Sequence, residues 1–537
     1  MIGRTALHFA AETGDPSRLV GRQVANAGFI SAYLAHGKDG AVPVHATPAD
    51  FEHFRAAFPT GRALTHVPSH QPRKLADHGG LFMPGPALVK RAWHRRLIGR
   101  GRYSLTGVTH AMASPRAQDA VRDMLVAPMA SWDALICASE PIRDLVRSLA
   151  DGHADALGDI VGRKPVFQPQ LPVIPLGVDV GSLSAIDPAA GAAFRQAQGI
   201  AEDSFVALFL GRLSYHTKAH PTPFYRALEM LAARIGRPVT LIEAGWYYNP
   251  ETEAAFDAAA TSFAPHVRVV KADARDPAVK AAVLAASDVF VSLADNVQES
   301  FGLTPVEAMA AGLPTVVSDW DGYRDTVVHG ETGFLIPTLI PPPGAGYEYA
   351  WRLAAEQDDY DAHVGVVAQH VAVDIPKTVE ALAALAAGPE VARRMGEAAR
   401  RRALQTYDWP VIVRAYEALW QELEERRAFH TEEEPKPSPQ VADPFRTFAG
   451  FASESIGQGF KVQPVDAAEA LLERLAGSPI SAMDARTLED GRALVAAMRR
   501  QGAMEMQQAL PEAAVSEAAR TFRALAWLLK MGVVERV

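Results

Sequence analysis

The sequence predicts an α/β protein of two Rossmann-like domains facing a cleft, followed by a helical accessory domain. Three observations carry this. Strand-like and helix-like segments alternate from residue 4 to about 337, the pattern of parallel sheets with crossover helices. The alternation runs in two series, the second restarting at Phe205-Val206-Ala207-Leu208-Phe209-Leu210. Beyond a charged, proline-rich stretch, residues 443 to 537 show helical periodicity, as in Ala467-Leu471-Leu472-Leu475 and Leu525-Leu528-Leu529.

In the first series the expected strands are Thr5–Ala10, Val42–Ala46, Leu105–Thr109, Ala134–Ser139 and Val173–Pro175. Helix-like runs over Arg18–Ala35, Gln118–Val126 and Pro141–Leu149 lie between them. The second series continues through Val239–Glu243, Val267–Val270, Val289–Leu293, Thr315–Ser318 and Phe334–Ile336. Pro175-Leu176-Gly177-Val178-Asp179 reads as the seam between the halves. Residues 338 to 372, with Pro341-Pro342-Pro343-Gly344 and several aromatics, look inserted. Helical patterning returns over Val373–Ala387 and Val391–Tyr407. Glu432-Glu433-Glu434-Pro435-Lys436-Pro437-Ser438-Pro439 reads as a linker.

A chain of 537 residues allows two to four domains and ample core. Its composition, 48% hydrophobic and 21% charged, is that of an ordinary soluble globular protein. A net charge of -9 argues against general nucleic-acid binding. The one cysteine, Cys137, lies in an apolar run and is expected to be a buried strand residue rather than a nucleophile. The N-terminus lacks a signal-peptide core, and no uncharged apolar stretch reaches the ~18 residues of a membrane span, so a cytoplasmic location is expected.

Gln298-Glu299-Ser300-Phe301-Gly302-Leu303-Thr304-Pro305-Val306-Glu307-Ala308-Met309-Ala310-Ala311-Gly312-Leu313-Pro314 is the most informative stretch. An apolar strand precedes it. Thr304 reads as an N-cap, Pro305 as the first helical residue, and Glu307 as the closing member of a capping box. Gly312 and Pro314 end the helix. A helix N-terminus at the carboxyl end of a parallel strand suits phosphate or sugar oxygens. The stretch resembles the E-x7-E signature of retaining glycosyltransferases of family 4, which have the GT-B fold and use nucleotide-sugar donors. Gly211-Arg212-Leu213-Ser214-Tyr215-His216-Thr217-Lys218 is similar to the family's Gly-Arg-Leu…Lys segment, although Ala219 stands where a glycine often follows the lysine. The seam resembles the family's Ile-Pro-x-Gly-Val-Asp linker, and Trp409 to Leu423 its last helix.

The resemblance covers roughly residues 4 to 425 and implies the following. Residues 1–182 form the N-terminal, acceptor domain and 183–408 the nucleotide-sugar donor domain. A helix over 409–428 crosses back to the first domain; outside the resemblance, composition makes 429–442 a linker and helical periodicity makes 443–537 an accessory domain, for packing or homo-oligomerisation. Arg212 and Lys218 contact the donor's phosphates. Glu299 faces the transferred sugar, the amides of Phe301, Gly302 and Leu303 hold sugar or phosphate oxygens, and Glu307 binds the ribose. His110, after the strand Leu105–Thr109, matches the family's first-domain histidine near the donor sugar; on its own a strand-end histidine is more often a satisfied polar residue. His66, His70 and His78 are its rivals. Asp319-Trp320-Asp321-Gly322-Tyr323-Arg324-Asp325 stands where the family commonly has Gly-Gly-x-x-Glu, with Asp325 in place of the glutamate. The donor is expected to be a UDP- or GDP-sugar acting as co-substrate, with no metal or other cofactor. The acceptor is a saccharide, a lipid-linked molecule or a protein. An epimerase acting on a nucleotide sugar and a non-catalytic scaffold are the other readings.

Two further segments stay open. Gly14-Asp15-Pro16-Ser17-Arg18-Leu19-Val20-Gly21-Arg22 is either a loop approaching donor phosphate and acceptor or an ordinary turn and helix start. Lys90, Arg91, Arg95, Arg96, Arg100 and Arg102, with Trp93, Leu97 and Ile98, form either a solvated basic face or a contact for lipid headgroups or an anionic acceptor.

Overall fold

Twelve short strands form two parallel sheets. The first contains β1 (Ala6–His8), β2 (Val42–Ala46), β3 (Leu64–Pro68), β4 (Gly80–Met83), β5 (Ser104–Val108) and β6 (Ala134–Ile136) in the order β3-β2-β1-β4-β5-β6. The second contains β7 (Phe205–Leu213), β8 (Val239–Tyr247), β9 (Arg268–Ala272), β10 (Val289–Ser292), β11 (Thr315–Ser318) and β12 (Gly333–Ile336) in the order β12-β11-β10-β7-β8-β9. Counted from its own first strand, each sheet has the 3-2-1-4-5-6 order of Rossmann folds, so each has a topological switch point, at β1/β4 and β7/β10. This computed structural model describes residues 4–11, 21–431, 433–440, 442–457, 459–480, 485–505 and 515–537.

The strands read as continuous apolar runs because both sheet faces are covered. In β7, Val206, Leu208 and Leu210 feed one core and Phe205 and Ala207 the other. Helices start from a repeated local signal: Thr47-Pro48, Ser114-Pro115, Asp187-Pro188, Asn249-Pro250 and Asp276-Pro277 each place a cap side chain on a first-turn amide, with proline at the first helical position. The helix Trp409–Ala428 lays Ile412, Val413, Tyr416, Leu419, Trp420 and Leu423 against the first domain's core. Trp420 Nε1 donates to Thr106 Oγ1 at 3.1 Å. At the start of this helix, Trp409 packs so closely on Gly177 that a Cβ there would lie 2.3 Å from its ring.

Several sequence expectations change. The first series lacked β3 and β4, whose short runs sit between prolines, glycines and histidines that mask a strand signal. Val173–Pro175 is no strand but a single bridge, Val173 to Cys137. Cys137 itself is buried just past β6, and burial pushes its thiol up to about 12. The insertion holds two helices, Tyr347–Ala354 and Tyr360–Ala368, and is closed by Thr338 and Leu339 pairing with Val373 and Ala372. Of the Gly14–Arg22 segment, 14–20 lie outside the described residues.

Residues Met1–Ser438 and Pro439–Val537 form two compact units. The second is mainly helical, with Ala468–Ala476, Ala485–Gln501 and Val515–Lys530. It also contains a three-stranded antiparallel sheet around Lys461–Pro464 that periodicity did not reveal. Val462, Leu472, Val495, Leu525 and Leu528 are buried in its core.

Candidate functional site

The loops after β7 and β10 meet at the second switch point. Lys218 Nζ lies 3.0 Å from Glu299 Oε2. Burial opposes the charge of Glu299, but Lys218 and the amides of Ser300 and Phe301 outweigh it and hold its carboxyl below the ordinary carboxylate value. Arg212, near the end of β7, lies over the Trp246 ring at 5.9 Å from its centroid. Burial lowers the pKa of Arg212, against the opposing charges of Asp361 and Glu299. Asp361 comes from the inserted helix Tyr360–Ala368, which packs on the same loop: a Cβ at Gly365 would meet His216 Cβ at 2.9 Å.

The helix of the second motif begins earlier than the sequence predicts. It runs Leu303–Ala311, and Gly302 rather than Thr304 is its N-cap, with φ of +87°. Only glycine fits there, since a Cβ would lie 2.1 Å from the Tyr323 ring. No side chain caps this N-terminus. Glu307 forms no capping box; it ion-pairs with Lys280 from the helix Pro277–Ala286. Phe301 is buried, edge-on to Tyr407 at 5.8 Å between centroids. The result is a helix N-terminus flanked by two carboxylates, each with a lysine, beside a half-buried arginine.

Three sets of contacts, not foreseen from the sequence, hold these loops. Asp295 Oδ2 accepts from the His220 amide at 3.1 Å, tying the end of the Lys218 loop to β10. Trp320 Nε1 donates to Asn296 O at 3.0 Å, and Asn296 in turn donates to His216 O. The first domain closes one edge: Ser139 Oγ donates to Ser300 O at 2.8 Å, and the Glu140 amide donates to Asp325 Oδ2 at 2.6 Å. Asp325 therefore caps the first domain's helix Glu140–Val161.

In the first domain His110 follows β5, and its Nε2 lies 3.3 Å from Pro84 O. It lines a small cleft with Asn26, Leu176 and Trp409, so it stands against the seam and the crossing helix. His66 bonds Ala46 O. A cluster that sequence order hides lies at the β1/β4 switch point. His8 Nδ1 is 3.0 Å from His45 Nδ1 on the register-paired strand, and Arg91 Nη2 is 3.4 Å from His8 Nε2. Burial and then the Arg91 charge hold His8 down at about 4; burial and then His8 hold His45 at about 3. Both imidazoles are thus neutral near pH 7. Arg91 is half-buried and meets no carboxylate among the described residues.

The basic stretch is not one solvated face. Arg95 is fully buried and forks onto Asp133 at 2.6 and 2.7 Å, with Tyr103 O at 2.8 Å. Arg100 reaches Met129 O, and Arg96 lies over Trp93. Charge spacing alone cannot tell a buried arginine from an exposed one when its carboxylate is 38 residues away. Among the described residues no helix is long and apolar enough to cross a membrane.

Residues 192–339 match the family model of "Glycosyl transferases group 1". The chain is 34% identical over 149 residues to a phosphatidyl-myo-inositol mannosyltransferase of Mycobacterium leprae, covering 27% of this chain and 30% of that protein. It is 28% identical over 347 residues to a D-inositol 3-phosphate glycosyltransferase of Kribbella flavida, covering 62% of this chain and 69% of that protein. The aligned region thus spans under a third of the first relative. Among solved structures, Anabaena Alr3699/HepE in complex with UDP superimposes with a TM-score of 0.50 at 17% identity, over 78% of this chain and 100% of that one. The fold is GT-B.

Proposed function

We propose that the chain is a retaining glycosyltransferase of the family 4 type, moving a sugar from a nucleoside-diphosphate sugar to an acceptor hydroxyl. The observation that carries this reading is the Lys218–Glu299 pair beside the uncapped helix N-terminus at Leu303. A diphosphate placed there meets Arg212, Lys218 and free amides, all of which favour negative charge. Glu307 then faces the ribose and Glu299 the sugar. As the bond from the anomeric carbon to the phosphate oxygen breaks, negative charge grows on the leaving diphosphate, where Arg212 and Lys218 are already in place. The acceptor hydroxyl attacks from the same face, and its proton passes to that phosphate oxygen, so no strong protein base is needed. Closure of the two domains keeps water from the donor.

The acceptor side is read from Arg91. A half-buried guanidinium whose hydrogen-bond partner among the described residues is a neutral imidazole favours an acceptor carrying an anionic group. The names of the two curated relatives, phosphatidyl-myo-inositol and D-inositol 3-phosphate transferases, agree with this chemistry. Lys90 and Arg102, the exposed cations of this stretch, suit contact with a lipid surface.

The test is a thermal-shift and hydrolysis screen with UDP-, GDP-, ADP- and TDP-sugars without acceptor. Stabilisation by one nucleotide class with slow release of free sugar is the expected result. Conversion of the donor to an isomer would assign an epimerase instead, and no response to any donor would make the protein a scaffold.

A further inference from the structure

Asp321 has an unusual backbone and an unsatisfied side chain at the edge of the site. It follows β11 and holds φ of +42°. That left-handed conformation is unfavourable for a residue with a side chain, and aspartate and asparagine tolerate it best. The turn cannot relax easily, because Gly322 is pressed on the neighbouring loop: a Cβ there would lie 2.3 Å from Phe301 Cα. Strain of this kind concentrates at functional sites, where surrounding structure enforces it.

The carboxyl group has partners on only one side. Asp321 Oδ1 is buried and makes no hydrogen bond. The groups facing it are Glu299 from the loop after β10, Ser139 from the first domain, and Asp325, the buried Tyr323 and the Gly322 amide on its own turn. The cations nearby are directed elsewhere: Lys218 to Glu299, and Arg324 to Asp319. Burial first, and Glu299 next, push the Asp321 carboxyl up to about 8. At neutral pH it is an uncharged acid that can both donate and accept. A buried polar oxygen with no hydrogen-bond partner among the described residues, beside the carboxylate that faces the sugar, marks an unfilled hydrogen-bonding position.

We propose that Asp321 contacts the donor, its carboxyl group hydrogen-bonding a hydroxyl of the transferred sugar alongside Glu299. This rests on the transferase reading for where the sugar lies. The donor's negative charge favours the uncharged form of Asp321. As pH rises through about 8, two adjacent carboxylates must coexist next to an incoming anion, and donor affinity falls.

The experiment is calorimetric titration of the full chain, between pH 6.5 and 9.5 (range of about three units), with the nucleotide sugar found by the screen and with the matching nucleoside diphosphate. Asp321→Asn and Asp321→Gly both suit the left-handed backbone, so both fold. For the wild type, affinity for the nucleotide sugar falls about tenfold from pH 7 to 9. Asp321→Asn keeps near wild-type affinity at pH 7 and loses this alkaline fall. Asp321→Gly binds the nucleotide sugar about tenfold more weakly at pH 7 but the nucleoside diphosphate as before. Wild-type affinity for the nucleotide sugar in Asp321→Gly overturns the proposal, as does an alkaline fall that persists in Asp321→Asn or an equal loss for both ligands. Absence of donor binding in the wild type overturns the transferase reading itself, a separate outcome.

Discussion

Lys218 and Glu299 join the two loops that follow the central strands β7 and β10 through a 3.0 Å ion pair, with Glu299 11% exposed. The pair makes donor binding a balance of charges. Lys218→Met leaves a buried carboxylate without its counter-ion at the place where a diphosphate must enter, so affinity for both nucleotide sugar and nucleoside diphosphate drops at least about tenfold. Glu299→Gln works the other way: the loop becomes more positive, the nucleoside diphosphate binds as well or better, and the nucleotide sugar binds more weakly. Calorimetry with the two ligands separates these outcomes. Parallel losses for both ligands in Glu299→Gln would remove Glu299 from the sugar end.

Arg212→Ala and Glu307→Ala should each weaken donor binding by about 1.5–3 kcal/mol, the usual worth of a hydrogen bond to a charged group. The two effects differ in kind. Arg212 acts on the phosphates, so its loss is sensitive to salt. Glu307 acts on the ribose, so a 2′-deoxy nucleotide reproduces its loss in the wild type. Unchanged donor affinity in both variants would sink the site.

Arg91→Gln removes the half-buried guanidinium from the His8–His45 pair. KM for an anionic acceptor should rise about tenfold or more, with donor affinity unchanged. His8 should also titrate at higher pH, since one of the two influences holding it at about 4 is the Arg91 charge. Histidine NMR checks the second point without any acceptor, and an unmoved His8 titration would contradict the cluster.

Arg95→Met tests the opposite kind of arginine. Its fork on Asp133 is wholly buried, and removing one partner strands a carboxylate in the core. Such a loss costs about 3–5 kcal/mol. Thermal unfolding should shift down strongly while Arg96→Met, on the outside of the same helix, changes little.

The fold was legible because most of its strands, though short, are apolar and β-branched, and its helices announce themselves with cap-proline pairs, as at Asn249-Pro250. β3 and β4 escaped because a four- or five-residue strand rich in glycine, histidine and proline carries no period. In the site, Arg212 and Lys218 stand in one motif-like segment and Glu299 in another, 81 residues further on. Lys280, Asp361 and Asp321 come from other elements, and only tertiary packing brings them to the loop. The Thr304 cap failed for a local reason: Gly302 can take a left-handed turn under Tyr323, so the helix starts before the better cap is reached.

Gly245 offers the last test, because it supports the site without touching any ligand. It pairs in register with Gly211 across β7 and β8. A Cβ on Gly245 would lie 1.8 Å from Gly211 O, a backbone atom that no rotamer change can move. Gly245→Ala must therefore push apart the strand ends from which Arg212 and Lys218 are carried. Overpacking of this sort costs about 1–3 kcal/mol. The displacement also reaches Arg212, the very next residue, so donor affinity should fall with stability. Gly152→Ala is the control: Gly152 lies inside the helix Glu140–Val161 with nothing within 4 Å, and alanine there should be neutral or stabilise by about 0.5–1 kcal/mol. If Gly245→Ala melts and binds donor as the wild type does, the strands do not approach so closely, and the placement of Arg212 that depends on them is wrong.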